Sequence, residues 1–272
     1  GGHNGPYNHL EMPARNTAHW LSVISYVLQS QDVSHDLKIT LTDSAHKAVD
    51  YLLSEEVRPY GASFHCRTVS NKDSCNGLIG QAWVIEGLIA AHHSLKIESA
   101  IKAARDIFYL HPFDEDRGIW HRVEIDGRIM SFDSTFNHQL WFASIAAQLG
   151  DADALKKARR FLDLVGENVQ TYSDGIVFHA APVERLKFVD WKNPLKVGKT
   201  IINRIQQYRL RPLLYMKSVG YHAFNLYAFA VLKEHFPDHD FWNTKKFLLM
   251  VRVTNNESFL NLLNDSLYGW PY

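Results

Sequence analysis

Helix-length segments of two kinds alternate along this chain of 272 residues. One kind is apolar on nearly all sides, as in Leu78–Leu95, Thr135–Leu149 and Val219–Glu234. The other kind has apolar side chains at steps of three and four residues and a charged face, as in Ile97–Leu110 and Asp151–Gln170. A helix that is apolar all round must be buried, whereas a helix with one charged face lies at the surface. The alternation therefore predicts an inner layer of helices covered by an outer layer.

The links between these segments alternate in length. Short links follow the apolar segments, and long polar, aromatic links precede them, at His3–Asn16, Arg58–Asn76 and His111–Ser134. Antiparallel neighbours in a helical array place alternate loops at the same end. We therefore expect one α/α-barrel domain over residues 1–272, an (α/α)6 toroid with the long links gathered at one end. The final SLYGWPY is similar to the opening GGHNGPY, and we expect the last helical hairpin to be missing.

One segment has a strand pattern. Two short alternating runs within Gly118–Phe132 flank Asp126-Gly127, a dipeptide typical of type I′ hairpin turns. A smaller extended piece is predicted after Asp174-Gly175. The fold class that follows is all-α with a small β-hairpin insertion.

Composition excludes several classes of function. Lys plus Arg and Asp plus Glu both total 29, and without a basic excess neither nucleic acid nor an acidic membrane is an expected partner. The sequence contains no run of eighteen apolar residues, so no membrane span is predicted. Cys66 and Cys75 form no CxxC pair, and the sequence contains no HExxH, P-loop or dinucleotide fingerprint. We therefore expect no metal, no cofactor and two reduced thiols in a cytoplasmic protein, or a periplasmic one if the two cysteines form a disulfide.

Groups that can perform chemistry crowd into the long links and the first turns of the apolar helices. Paired carboxylates, histidine and aromatic platforms in one cleft suit acid–base chemistry on a sugar. The catalytic candidates are Asp133 as general acid or base, a second carboxylate from Glu11, Asp73 or Glu124, and His138. The substrate-binding candidates are the aromatic and hydrogen-bonding side chains His65, Arg67, Asn76, Gln81, Trp83, Trp120, His121, Gln139, Trp141, Tyr221 and His222.

Each candidate also has a simpler interpretation. Asp133 and Asn76 suit helix N-caps, since both residue types lead the N-cap ranking. Glu124 suits a cross-strand charge in the hairpin, and His138 and His222 suit core histidines bonded to backbone. Capping needs one side chain for each helix end, however, and several helices here carry four or more polar or aromatic groups in two turns. Polar groups at that density must pair with each other or with a ligand.

Several sequence blocks resemble a known group of proteins. NGPYNHLEMPARNTAHW, RPYGASFHCR, CNGLIGQAWVIEGL, HPFDEDRGIWHRVEIDG and DSTFNHQLWFA are similar to proteins encoded in bacterial polysaccharide gene clusters. At superfamily level the chain resembles the six-hairpin glycosidases, which include unsaturated glucuronyl and rhamnogalacturonyl hydrolases and lie near the N-acylglucosamine 2-epimerases. The resemblance implies an (α/α)6 barrel with Asp or Glu as acid and base at the loop-rich end, where Asp133 is the best-placed match.

These arguments lead to one expected function and two alternatives. We expect a glycoside hydrolase that acts on a bacterial polysaccharide or oligosaccharide, including one that contains uronic acid. A sugar epimerase would need a pair of histidines about the reacting carbon, with His65, His138 and His222 as candidates. The other alternative is a protein that binds or assembles glycans without catalysis.

Overall fold

The computed structural model describes residues 12–183, 185, 188–189 and 191–266, apart from the side chains at 196, 199 and 207. The helices within these residues are α1 (Ala14–Leu28), α2 (His35–Leu53), α3 (Gly77–Leu95), α4 (Glu98–Leu110), α5 (Phe136–Leu149), α6 (Ala152–Asn168), α7 (Pro194–Leu210), α8 (Tyr215–His235), α9 (Lys245–Arg252) and α10 (Glu257–Asp265). The strands are β1 (Phe113–Asp114), β2 (Ile119–Val123) and β3 (Ile129–Phe132). The prediction of an all-α chain with a small β insertion is confirmed.

The helices form two layers. An inner row is made by α1, α3, α5 and α8, each packed on the next, and α2, α4 and α6 cover α1, α3 and α5 from outside. Most residues of α3 and nearly all residues of α5 are buried, whereas α4 and α6 bury one face. This difference follows from the sequence, because burying apolar surface stabilises by about 25 cal/mol per Å² and, of these four helices, α3 and α5 are the ones that are apolar on nearly all sides.

The sheet differs from the prediction in two ways. It has three antiparallel strands in the order β1-β2-β3, whereas the sequence predicts two. The turn between β2 and β3 is not of type I′, which needs a positive φ at both central residues. Of Asp126 and Gly127, only Gly127 has one, at 85°. The N–H of Gly127 donates to the carbonyl of Glu124 (2.9 Å) within a longer loop.

Several other boundaries differ from the sequence prediction. The segment after Asp174 makes only isolated β-bridges, such as Thr171 with Val177. The amphipathic pattern of Asp240–Val253 predicts a single helix, but this segment is a 3-10 turn (Asp240–Asn243) followed by α9, and the sequence pattern does not predict α10. Thr244 interrupts the helix predicted over Asp240–Val253, because its hydroxyl caps the start of α9 by accepting from the N–H of Phe247.

The long links before α3 and α5 lie together, as predicted. Cys66 and Cys75, both in the link before α3, are buried and form no disulfide bond. Within the described ranges, no helix is long and apolar enough to cross a membrane.

Candidate functional site

The beginning of α3 is held by two carboxylates from different parts of the chain. Oδ1 of Asp73 accepts from the N–H of Gly77 (2.8 Å), and Oδ2 of Asp133 accepts from the N–H of Leu78 (3.0 Å). Unpaired N–H groups make a helix N-terminus favourable for negative charge. Asp133 therefore caps the neighbouring helix α3 and not its own helix α5. The N-cap residue of α5 is Thr135.

Asp133 also fixes the imidazole of His138. Its Oδ2 lies 2.8 Å from Nδ1 of His138, and its Oδ1 accepts from the N–H of Thr135 (3.0 Å). An ionised carboxylate can only accept hydrogen bonds, so Nδ1 of His138 carries the proton. This assignment leaves Nε2 of His138 to accept or donate at the cleft surface.

Both aspartates are held in the ionised form. Burial alone would raise the pKa of Asp133, but the charge and hydrogen bond of His138, with the N–H groups of Leu78 and Thr135, hold it well below its usual range. Burial likewise opposes ionisation of Asp73, and Arg67, the N–H of Gly77 and Arg122 outweigh it and lower its pKa. Neither carboxyl is a proton donor near neutral pH, so the expectation of Asp133 as a general acid does not fit this arrangement.

Gly77 is the residue that lets Asp133 and His138 approach α3. Its φ is +61°, a conformation that favours glycine. A Cβ at this position would lie 2.5 Å from Oδ2 of Asp133 and 3.1 Å from Nδ1 of His138. The hydrogen-bonded pair therefore depends on the absence of a side chain at residue 77.

Asp73 organises two arginines beside this pair. Its carboxylate binds Nη2 of Arg67 (2.8 Å) through one oxygen and Nη1 of Arg122 (2.7 Å) through the other. Asn76 makes no side-chain cap for α3; its Oδ1 instead accepts from Nη1 of Arg67 (2.9 Å). Asp73, Arg67 and Asn76 thus lie together as the sequence predicts, and Arg122 from β2 joins them.

A cavity of about 670 Å³ opens over these groups, and we call it the polar cavity. Arg67, Lys72, Arg122 and Arg204 contribute positive charge to its lining. Asp73, Asn76, Asp133 and His138 also line it. Such a wall can bind hydroxyl groups and an anionic group such as a carboxylate.

Glu124 has a different position from the one predicted. It is 8 % exposed and does not line the polar cavity. Its carboxylate accepts from the N–H groups of Ser74 (3.1 Å) and Cys75 (3.0 Å), and from its neighbour Ile125 (2.9 Å). Glu124 therefore anchors the link before α3 to the hairpin, and the prediction that it is the second catalytic carboxylate does not agree with this burial.

Gln81 and Gln139 also have structural positions. Gln81 accepts from the N–H of Phe64 (2.8 Å) and donates to its carbonyl (3.0 Å). Gln139 pairs in the same way with Trp120, at 2.8 Å in both directions. Both amides are fully buried, so neither is available to a substrate. Each clamps the incoming link to the first turns of its inner helix.

Trp120, His121 and His65 are further residues that the structure places away from the cleft. Trp120 is fully buried and packs on Phe113 with ring centroids 4.5 Å apart. Nδ1 of His121 bonds to the carbonyl of Met130 (2.8 Å). The half-buried His65 lines neither of the two cavities described in this section. The prediction that Trp120 is a sugar platform is wrong, because no face of its ring is exposed.

On α8, the two predicted residues have different surroundings. His222 is fully buried; its Nδ1 accepts from the N–H of Val177 (3.2 Å) and its Nε2 donates to the carbonyl of Met250 (2.9 Å). It is therefore a core histidine and not a substrate ligand. The half-buried Tyr221 instead lies beside His179, with ring centroids 5.2 Å apart.

His179 is a candidate that the sequence analysis missed. Burial, together with the positive charge of Lys217 and His138, lowers the pKa of His179 to about 3. It is therefore neutral at physiological pH. Its sequence context, GIVFHAA, gives no signal because the segment is joined to the start of α5 only by an isolated β-bridge, between Ala180 and Thr135.

A second cavity, of about 500 Å³, lies among the four inner helices, and we call it the aromatic cavity. Its lining includes the predicted residues Trp83 and Trp141, and also Glu86, which the sequence analysis missed. Trp141 Nε1 donates to one oxygen of Glu86 (3.3 Å) and the hydroxyl of Tyr227 to the other (3.4 Å). Burial raises the pKa of Glu86, and these hydrogen bonds offset the rise only in part. A single carboxylate inside the apolar run AWVIEGLIAA is the signal that could have identified it.

The remaining prediction, Glu11, lies outside the described residues. In the part of the chain that the structure describes, no group of three His, Cys, Asp or Glu side chains is arranged to hold a metal ion.

Comparison with known proteins gives one informative match. No family model matches the chain. The chain is similar over its whole length to archaeal glycosylation protein Q of Haloferax volcanii, with 38% identity over 280 aligned residues. The alignment covers 100% of this chain and 74% of that protein. Identity at this level over all 272 residues shows common descent, and this chain therefore belongs to the family of archaeal glycosylation protein Q.

Proposed function

We propose that this protein is a glycan-processing enzyme that hydrolyses a glycosidic bond in the polar cavity. The observation that carries the proposal is the pairing of His138 with the ionised Asp133 at the edge of a cavity lined by arginines. The name of its relative, a glycosylation protein, supports a glycan as the substrate.

In the proposed reaction, His138 transfers the protons. Nε2 of His138 gives a proton to the oxygen of the leaving sugar as the bond from the anomeric carbon to that oxygen breaks. The oxygen of a water molecule then bonds to the anomeric carbon, and one water proton returns to Nε2. The carboxylate of Asp133 stabilises the charged imidazole and holds its orientation, as a carboxylate partner does in other acid–base histidines.

The positive lining suggests an acidic sugar. Arg67 and Arg122 are held side by side by Asp73, and Lys72 and Arg204 line the same cavity. Guanidinium groups bind carboxylates through paired hydrogen bonds. We therefore propose a glycan that carries a uronic acid.

The inner and outer rows of helices support a related proposal about the fold. Three inner helices, α1, α3 and α5, each have an outer partner, and the inner row continues to α8. We propose that this arrangement is part of an (α/α)6 barrel.

A second candidate function is supported by His179. An epimerase needs one group that removes a proton from a sugar carbon and another that returns a proton on the opposite face. The carbonyl of His179 accepts from the N–H of Phe136 (2.9 Å), which places His179 beside the first turn of α5, where His138 lies. Pairs of titratable groups are typical of such sites. His138 and His179 replace the predicted His65 and His222 in this alternative.

Incubation with 4-nitrophenyl glycosides and glycuronides, followed by mass spectrometry, separates the candidates. Hydrolysis releases nitrophenol and adds the mass of one water, whereas epimerisation leaves the mass unchanged. We expect release by the wild type, loss of release in His138→Asn, and wild-type release in the matched control His46→Asn, because His46 is exposed on α2. Equal release by His138→Asn and wild type would refute the assigned role.

A further inference from the structure

The aromatic cavity has no role in the proposed reaction. It is lined from four helices, by Arg15 and His19 of α1, Trp83 and Glu86 of α3, Trp141 of α5, and Phe224 and Tyr227 of α8. Its volume of about 500 Å³ is within the range of sites for small ligands. Gly77 and Trp83 lie six residues apart on α3, about 9 Å along the helix axis, so the aromatic cavity begins deeper in the inner row than the polar cavity.

Aromatic rings form most of its wall. Trp141 lies with its ring centroid 6.5 Å from that of Trp83 and 5.2 Å from that of Tyr227. Trp141 is 6 % exposed, whereas Tyr227 is 51 % exposed and Trp83 is half-buried. Large aromatic faces that keep contact with solvent are costly for a soluble protein unless a ligand covers them.

Polar atoms lie among these rings. Both oxygens of Glu86 receive hydrogen bonds, from Trp141 and Tyr227. Nε1 of Trp83 is buried and has no hydrogen-bond partner among the described residues. A buried donor without a partner is unfavourable, so this wall of the cavity retains an unsatisfied polar group.

We propose that the aromatic cavity is a second glycan subsite that binds an uncharged pyranose ring, with its apolar face on Trp83 and Tyr227 and its hydroxyls bonded to Glu86. Sugar rings present an apolar C–H face and a rim of hydroxyls that donate and accept, which matches aromatic walls around one carboxyl. The inference rests on the proposed function in one respect, that the ligand is a glycan.

The charges of the two cavities distinguish their ligands. Arg67, Lys72, Arg122 and Arg204 line the polar cavity, whereas the aromatic cavity is lined by one arginine, Arg15, and one carboxyl, that of Glu86. The guanidinium of Arg15 lies over the ring of Trp83, 4.5 Å from its centroid. The aromatic cavity thus lacks the excess of basic side chains that the polar cavity has, and an anionic sugar there would lie near the carboxyl of Glu86, so an uncharged sugar is favoured.

Calorimetric titration with methyl glucopyranoside, methyl galactopyranoside and methyl mannopyranoside tests the subsite. We expect the wild type to bind at least one of them, and Trp83→Ala and Glu86→Ala to weaken binding about tenfold or more. Trp20→Ala is the matched control, because Trp20 is 67 % exposed on α1 and does not line the cavity. His138→Ala should bind the same methyl pyranoside as the wild type does.

Two results would overturn the subsite. One is no binding of any of the three methyl pyranosides by the wild type. The other is wild-type affinity in Trp83→Ala and Glu86→Ala. If Trp83→Ala fails to fold, Tyr227→Ala makes the same test at a more exposed residue. If the protein cleaves nitrophenyl glycosides but binds no methyl pyranoside, the proposed subsite is refuted and the proposed function stands. If the protein binds a methyl pyranoside through Trp83 but cleaves no nitrophenyl glycoside, the proposed function is refuted and the subsite stands.

Discussion

The carboxylate of Asp133 accepts a hydrogen bond from Nδ1 of His138 (2.8 Å) through the same oxygen that caps α3 at Leu78 (3.0 Å). The imidazole on α5 is thereby fixed relative to α3, and a helix N-terminus helps to keep the carboxylate ionised. Fixing the group that transfers a proton within a narrow geometry is what acid–base catalysis requires.

The space for this pair can be tested at Gly77. A Cβ in Gly77→Ala would lie 2.5 Å from Oδ2 of Asp133, in a backbone conformation that alanine rarely adopts. We expect a loss of roughly 1–3 kcal/mol in the free energy of unfolding, together with loss of turnover.

Gly166→Ala is the control, because a Cβ at residue 166 meets nothing within 4 Å and the residue is inside α6. That change should stabilise the chain by about 0.5–1 kcal/mol. Denaturant titration measures both variants, and a Gly77→Ala protein as stable and active as the wild type would contradict the geometry of the site.

Glu124→Gln separates anchoring from catalysis. Oε1 of Glu124 accepts from the N–H groups of Ser74, Cys75 and Ile125, and the N–H of Ser74 also reaches Oε2 (3.1 Å). In glutamine one of these positions is an NH2 group that cannot accept, and the remaining oxygen carries no full negative charge. We expect a loss of about 1–3 kcal/mol in stability and turnover close to the wild type below the melting temperature. The exposed Glu55→Gln should leave both unchanged. Abolished turnover in a folded Glu124→Gln protein would restore Glu124 to the catalytic candidates.

The two glutamine clamps should be equivalent. Gln139→Leu leaves the N–H and carbonyl of Trp120 without their partner, and Gln81→Leu does the same to Phe64. Each unpaired buried backbone group costs about 1–3 kcal/mol, so both variants should unfold at clearly lower denaturant concentration. Gln31→Leu, at an exposed position, serves as the comparison. A neutral effect of Gln139→Leu on the unfolding midpoint would show that the clamp does not hold the link.

The buried His111 predicts a pH dependence of stability. Burial lowers its pKa to about 4, although the hydrogen bond from Nδ1 to the carbonyl of Ile107 counteracts part of the shift. The unfolded chain, with a histidine pKa of about 6.5, then binds more protons than the folded chain between the two values. The contribution of His111 to the free energy of unfolding is therefore fully present above the pKa of the unfolded state. It is lost as the pH falls towards the pKa of the folded state.

Chemical denaturation at several pH values measures this slope. We expect His111→Phe to have a shallower decrease in unfolding free energy than the wild type on acidification, by up to about 1.4 kcal/mol per pKa unit of the shift. Parallel curves for the two proteins would show that His111 does not titrate in this way.

The periodic features of the sequence predict the architecture well. The apolar pattern of α3 and α5 and the charged faces of α4 and α6 lead directly to two layers, because burial depends on local composition. The prediction fails where structure depends on contacts between distant residues. Asp126-Gly127 has the composition of a type I′ turn, but only Gly127 has a positive φ. The loop that is formed instead holds Glu124 where its carboxylate accepts from the N–H of Ser74, in the link before α3.

The candidate site shows the same limit. Asp73, Asp133 and His138 could be grouped because they belong to links at one end of the helices. The sequence cannot distinguish a glutamine that faces a substrate from one that clamps a backbone, because Gln81 and Gln139 have the polar neighbours expected of either. Glu86 escapes a reading of the sequence for the opposite reason, since it lies in an apolar helix, where the sequence predicts core and not a site.

The most direct measurement of the central claim is a double-mutant cycle on turnover with Asp133→Asn, His138→Asn and the combined variant. If the carboxylate acts through the imidazole, the two residues form one unit, and effects within a unit are not additive. We predict that His138→Asn lowers kcat about 10²- to 10⁴-fold and that adding Asp133→Asn lowers it no further. Independent, multiplying losses, or a wild-type kcat in His138→Asn, would contradict the account.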